Sequence, residues 1–177
     1  MKKEIIVSAV IAASVPAAVL AEDRINSVEV SASQGEFRNT TEVNYLEATV
    51  RQNFLDNKLY GVFSHTYVDG HPVENVEDNT SMVGVGYKID NLYIEGVVNE
   101  DRYKASLMYE YRHDNNMVYS GGIWHGDMFD TNFSQTFANI GVGRMFDNVY
   151  IGGFYEVGNT TKDSVDDRYG FKVRYSW

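Results

Sequence analysis

Arg168-Tyr169-Gly170-Phe171-Lys172-Val173-Arg174-Tyr175-Ser176-Trp177 alternates polar and apolar residues without a break and stops on an aromatic. In an extended chain Tyr169, Phe171, Val173, Tyr175 and Trp177 share one face, while Arg168, Gly170, Lys172, Arg174 and Ser176 share the other. Period two marks a strand whose two sides meet different solvents. The apolar side here is bulky and aromatic and the other is cationic. Such a strand either covers the core of a soluble sandwich or turns its apolar face to lipid and its charges inward.

The amino terminus favours export. Met1 to Ala21 carries two lysines, an apolar run from Ile5 to Leu20 broken by Pro16, and Val19-Leu20-Ala21 ahead of Glu22-Asp23. That is the pattern of a secretory signal peptide with a small-residue cleavage site, whereas an anchoring helix needs a longer unbroken run. The expected organisation is a leader over 1–21 and one domain over 22–177. The chain carries a formal charge of −10, and loss of Lys2, Lys3 and Glu4 with the leader moves it to near −11. No later stretch approaches the roughly 18 apolar residues of a spanning helix, so insertion in a membrane has to be by strands. With no cysteine there is no disulfide framework to support small irregular modules.

Beyond Glu22 the only proline is Pro72, and Tyr, Val, Phe, Thr and Gly recur in short alternating runs. This is an all-β pattern. Asp56-Asn57, Asp90-Asn91, Asp114-Asn115 and Asp147-Asn148 repeat one turn type, because Asp and Asn tolerate the left-handed backbone of tight hairpins. Phe54, Tyr60, Tyr87, Tyr93, Tyr111, Tyr119, Phe146 and Tyr150 flank these turns, with Tyr175 and Trp177 at the same level. They predict an aromatic belt at one membrane interface. The other connections are mostly longer and more acidic: 34–41, 68–79, 99–101, 126–133 and 159–166. Between them lie ten runs, at 25–33, 42–54, 58–67, 80–88, 91–98, 102–112, 117–125, 134–146, 149–158 and 167–177. The predicted fold is a transmembrane antiparallel up-and-down β-barrel, ten-stranded, with eight or twelve strands open because a bulge can fuse or split a run.

Alternation then assigns the lumen. Glu29, Glu47, Glu95, Glu110 and Glu156 face inward with Arg51, Arg102, Lys104, Arg112, Arg168, Lys172 and Arg174, which makes the interior net basic in an acidic protein. Buried charges must pair or be wet. The expected function is a narrow porin-like channel for small anionic solutes, and the alternative is a plugged structural or adhesive barrel held by salt bridges. Gly84, Gly86, Gly141, Gly143, Gly152 and Gly170 also fall inward, either leaving lumen volume free or permitting tight curvature. The runs at 58–67 and 117–125 are ambiguous in facing.

Catalysis is not expected. Pairings such as His125 with Asp127 or Asp130, or His65 with Ser64 and Glu77, match no catalytic spacing. Glu74, Glu77 and Asp78, or Asp163, Asp166 and Asp167, lack the spacing of a calcium-binding loop, so neither metal nor cofactor is expected. The basic residues alternate with aromatics and form no patch for nucleic acid.

The signal peptide, the Asp-Asn turns with flanking aromatics, the alternating strands and Tyr175-Ser176-Trp177 together resemble the outer-membrane β-barrel superfamily of Gram-negative bacteria. That resemblance implies residence in the outer membrane after export through the Sec pathway. It also implies contact with lipid and lipopolysaccharide, a monomeric state, and insertion by the barrel-assembly machinery, with Tyr175 and Trp177 as the signal read. Within the superfamily, Asn44-Tyr45-Leu46-Glu47-Ala48-Thr49-Val50-Arg51 and the inward arginines are similar to small monomeric porins of the oligogalacturonate-specific type. Small barrels with structural or adhesive roles are the other branch.

Overall fold

The computed structural model describes residues 25–37, 41–55, 58–70, 79–129, 134–160 and 165–177. The leader, the Asp56-Asn57 turn, and His71, Pro72, Glu74, Glu77, Asp78, Asp130 and Asp163 lie outside the described residues. Ten strands follow one another: β1 (Ser27–Phe37), β2 (Thr41–Leu55), β3 (Leu59–Asp69), β4 (Asn79–Ile89), β5 (Leu92–Val98), β6 (Arg102–Arg112), β7 (Met117–Met128), β8 (Ser134–Phe146), β9 (Val149–Thr160) and β10 (Val165–Ser176). Each pairs antiparallel with its sequence neighbours, and β1 pairs with β10, so the sheet closes without an edge. The ten expected runs are these strands, and the clearest shift is β1, which continues to Phe37 instead of stopping at 33.

Closure fixes the tilt. From Ser27 the register partners run through Arg51, Val62, Gly84, Val97, Lys104, Gly126, Gln135 and Thr160, climbing steadily from the turn end toward the loop end. Continued through β10, this path returns to β1 about twelve residues higher, which for ten strands is a tilt of about 40°. Strands of 11 residues, such as β3, β4 and β6, then span about 28 Å along the axis, the thickness of a hydrocarbon core.

The tight turns use the residues expected of them. Asp90 and Asp147 hold positive φ, of 50° and 53°, whereas at the Asp114-Asn115 turn Asn116 takes that role, at 66°. The carboxamide and carboxylate tips suit this backbone because they bond their own main chain, as Asn115 Oδ1 does in accepting from Met117 N at 3.0 Å.

The surface is inverted relative to a soluble protein. Phe171 is 74% exposed, Ile140 67% and Val83 58%, and Val85, Ile94, Leu107, Ile123, Val142, Ile151 and Val173 accompany them around the outside. Soluble monomers rarely expose apolar patches beyond a few hundred Å², so a continuous band of this kind is a lipid-facing surface. Aromatics bound it at both ends. At the turn end Phe54, Tyr87, Tyr111, Tyr119 and Phe146 are exposed, and Tyr175 stacks on Trp177 at 6.0 Å. At the loop end Tyr103 stacks on Phe129 at 6.0 Å. There, Tyr155 Oη donates to Asp167 at 3.0 Å and Tyr169 Oη donates to Gln34 at 2.9 Å. This second belt was not foreseen from the turns alone.

Three aromatics of the expected turn-end belt are not in it. Tyr60 and Tyr150 are 0% and 1% exposed, and half-buried Tyr93 packs against the Tyr60 cluster, all inside the barrel. The ambiguous strands resolve with them: β3 turns Tyr60, Val62, Ser64 and Val68 inward, and β7 turns Val118 and Trp124 inward. The inward glycines make room for these rings. A Cβ on Gly86 would meet the Tyr60 ring and one on Gly152 the Tyr150 hydroxyl. At Gly84 and Gly170 a Cβ would instead meet the backbone of the adjoining strand, Gly96 and Val97 or Ala32, so there the missing side chain permits tight curvature. Gly86 and Gly152 therefore leave no free lumen volume.

Candidate functional site: an ion-paired lumen

The inward faces of β1, β2, β5, β6, β9 and β10 bring together ten charged groups. Arg51 Nε donates to Glu95 Oε1 at 2.6 Å and Arg51 Nη2 to Glu95 Oε2 at 3.3 Å. Tyr60 Oη donates to the same carboxylate at 2.9 Å. Arg174 holds Glu110 through Nη1 and Nη2 at 2.7 and 2.9 Å. Lys104 Nζ stands 3.7 Å from Glu47, and Arg168 Nε donates to Glu156 at 2.7 Å. Glu29 sits among three cations, at 4.0 Å from Arg51, 3.9 Å from Lys172 and 4.0 Å from Arg174.

Connectivity across the barrel matters more than the number of pairs. Arg168 and Glu156 are direct partners on adjacent strands. Arg51 on β2 reaches Glu95 on β5, Arg174 on β10 reaches Glu110 on β6, and Glu47 on β2 meets Lys104 on β6, none of which are neighbours in the sheet. These bonds cross the lumen. Two-point arginine–carboxylate geometry is the strongest and most directional ion pairing available to side chains, so the crossing groups are held rather than swept aside.

The cavities on either side reflect this. One of about 90 Å³ lies toward the loop end, with Ser31, Glu47, Thr49, Lys104, Trp124 and Asn139 among its walls. One of about 60 Å³ lies toward the turn end, walled by Ile25, Tyr93, Glu110, Arg174 and Ser176 among others. Glu29, Arg51, Glu95, Met108 and Lys172 line both, which places them between the two. Apolar layers reinforce the ends. Val43, Val68, Trp124 and Phe137 cluster toward the loop side, Trp124 stacking on Phe137 at 4.7 Å, and Ile25, Tyr60, Val62, Met82 and Val97 cluster on the β3–β5 wall.

The charges balance at the waist, and the basic excess among the described inward groups lies toward the two ends, in Arg102 and Lys88. Arg51, Lys104, Arg168, Lys172 and Arg174 face Glu29, Glu47, Glu95, Glu110 and Glu156, so the waist is neutral. Arg102 is half-buried at the loop end of β6, and Lys88 lies near the turn end over the Tyr93 ring at 5.5 Å. Arg112 is a correction: it is exposed beside the turn, where its Nη2 donates to Asn116 at 2.7 Å, and it does not line the lumen. Strand alternation places it inward, but it is the last residue of β6, where the wall ends. Inward residues missed by sequence reasoning include Tyr60, Tyr93, Trp124, Tyr150 and Lys88. Tyr150 stands between Val149 and Ile151, where an aromatic among apolar neighbours carries no alternation signal, whereas Lys88 between Tyr87 and Ile89 was legible as inward by alternation.

Of the histidine pairings drawn from the sequence, those with Glu77 and Asp130 lie outside the described residues, and His65 does not meet Ser64. Ser64 is buried inside while His65 faces out and bonds Ser81 Oγ at 2.9 Å. His125 bonds Thr136 Oγ1 at 2.8 Å.

No protein-family profile and no curated protein sequence matches the chain. Among solved structures, a KdgM porin is 13% identical, with 85% of this chain and 99% of that one covered at a TM-score of 0.46. The outer membrane protein Omp33 of Acinetobacter baumannii is 10% identical, with 86% and 98% covered at 0.37. The β domain of the Bordetella autotransporter BrkA is 10% identical, with 86% and 98% covered at 0.43. By its own closed strand order and its apolar exterior around a charged interior, the chain is a ten-stranded transmembrane β-barrel.

Proposed function

We propose that this protein is a monomeric outer-membrane barrel whose lumen is shut at the waist by ion pairs, a rigid base that presents its loop end at the cell surface and passes no steady ion current. The supporting observation is that bidentate arginine–carboxylate pairs join non-adjacent strands across the lumen, with Glu29 among three cations at their centre. Removing one member leaves an uncompensated buried charge, so the closed arrangement is self-consistent and partial opening is costly. Export through the Sec pathway, insertion by the barrel-assembly machinery through Tyr175 and Trp177, and contact with lipopolysaccharide belong to the same reading. In its support, Trp177 N donates to Asn26 O at 3.1 Å and Ser176 N to Asn148 O at 2.9 Å, so the last residues seal the barrel on both sides.

A narrow channel for small anionic solutes is the second reading, and Lys104 favours it. Its side chain is 31% exposed and its pairing with Glu47, at 3.7 Å, is the loosest of those made by a single carboxylate and a single cation. It borders the loop-side cavity and offers an anion a first contact. Fractionation tests the shared part: the protein should be recovered with outer membranes as a species whose gel mobility changes on heating. Recovery as a soluble periplasmic protein overturns both readings. Ion conductance separates them, with steady anion-selective current required by the second and absent in the first.

A further inference from the structure

The outward face of the barrel carries very few charges, and their distribution is uneven. Strand alternation turns Glu42, Asp69, Asp127 and Asp167 outward near the loop end, and among the described residues Arg144 is the only arginine or lysine that a strand interior turns to the lipid side. It lies on β8 in the outward row Ile140, Val142, Arg144, Phe146, two residues short of the turn-end belt. Arg144 makes no ion pair with any described residue. Its guanidinium stands over the Phe146 ring, 5.6 Å from the centroid. That contact directs the charge away from the hydrocarbon and toward the headgroup level, as a long basic side chain on a lipid-facing wall must be directed.

We infer that Arg144 anchors a binding site for an anionic phospholipid headgroup in the leaflet that meets the turn end. The neighbouring wall fits that occupant. Met117 on β7 and Ile151 on β9 are its register partners and provide apolar walls for the upper acyl chain. Tyr119, outward on β7 and 48% exposed, is the register partner of Tyr111, and both belong to the same aromatic belt. Arg112 lies at the same end on the far side of β7, with one guanidinium nitrogen committed to Asn116. A guanidinium is matched to phosphate by charge and by its planar donors, and phosphate is the acceptor that a lipid leaflet supplies at this depth. The acidic loop-end rim offers no such complementarity, so the site also fixes which leaflet holds the lipid.

The test uses the folded full barrel, stripped of lipid in detergent and titrated with phosphatidylglycerol or phosphatidylcholine while bound lipid is counted by native mass spectrometry. The parent should retain phosphatidylglycerol in preference to phosphatidylcholine. Arg144→Gln should weaken phosphatidylglycerol binding about fivefold, as expected for one basic group at a membrane surface, and leave phosphatidylcholine unchanged. Arg144→Lys should keep part of the preference. Equal phosphatidylglycerol binding by the parent and Arg144→Gln, or no preference in the parent, overturns the site. If Arg144→Gln does not reach the folded gel species, rising salt provides the second arm: a charge-held lipid loses its preference as screening increases, and a preference that salt leaves untouched overturns the site.

Discussion

Breaking the Arg174–Glu110 pair distinguishes a dry waist from a wet one. Both side chains are at most 15% exposed and share two hydrogen bonds at 2.7 and 2.9 Å across the lumen. With Glu110→Gln, Arg174 keeps only Glu29 at 4.0 Å, a carboxylate already shared with Arg51 and Lys172. The expected loss is roughly 3–5 kcal/mol, that of a buried pair left with one member, and Arg174→Met should lose a similar amount. Replacing both, as Glu110→Leu with Arg174→Met, should return most of the stability, because desolvation is then no longer opposed by an unpaired charge. Lys104–Glu47 is the internal control: at 3.7 Å, with Lys104 31% exposed, its coupling should be at most about 1 kcal/mol. Urea unfolding in lipid vesicles, followed by tryptophan fluorescence and gel mobility, gives both couplings as double-mutant cycles. A coupling below about 1 kcal/mol for Arg174–Glu110, equal to that of the control, refutes the reasoning, because it means that water reaches the waist.

Tyr60→Phe should cost about 1–2 kcal/mol by removing the hydroxyl that donates to Glu95, and Tyr60→Ala about 3–5 kcal/mol by emptying a fully buried ring site, both read from the same unfolding curves. Gly152→Ala places a methyl against the Tyr150 hydroxyl and the Val142 carbonyl oxygen and should destabilise by about 1–3 kcal/mol, with Tyr150→Leu in the same chain recovering only the part due to the ring. Deleting Trp177 should lower the yield in outer membranes and raise periplasmic stress while leaving whatever barrel does form nearly as heat-resistant as the parent; normal yield from the deletion contradicts an assembly role.

Much of the fold was legible because its physics is local. Period two in Arg168 to Trp177 follows from one wall facing lipid and the other a polar lumen, and the Asp-Asn pairs follow from the left-handed backbone that Asp90 and Asp147 adopt. Reading failed where both faces of a strand are apolar. Tyr60 and Tyr150 lie in such runs, and the parity that puts them inside is set by register with β4 and β8 rather than by their own neighbours. Legibility ended at the lumen. Alternation assigned Arg51, Glu95, Glu110 and Arg174 to the interior, but their partners lie 44 and 64 residues apart in the chain, on strands that meet only after the barrel closes. Whether seven cations and five carboxylates make a current path or a closed network depends on barrel diameter and shear, which are properties of the whole sheet. Arg112 shows the same limit at small scale: its parity is correct, and the wall ends beneath it.

Single-channel recording in a planar bilayer tests the central claim most directly. The account predicts that the purified, folded protein gives no steady conductance in symmetric potassium chloride, and that the joint variant Arg51→Ala with Arg174→Ala, which removes both lumen-crossing arginines, does conduct. A stable, ohmic, anion-selective current from the parent protein would contradict it.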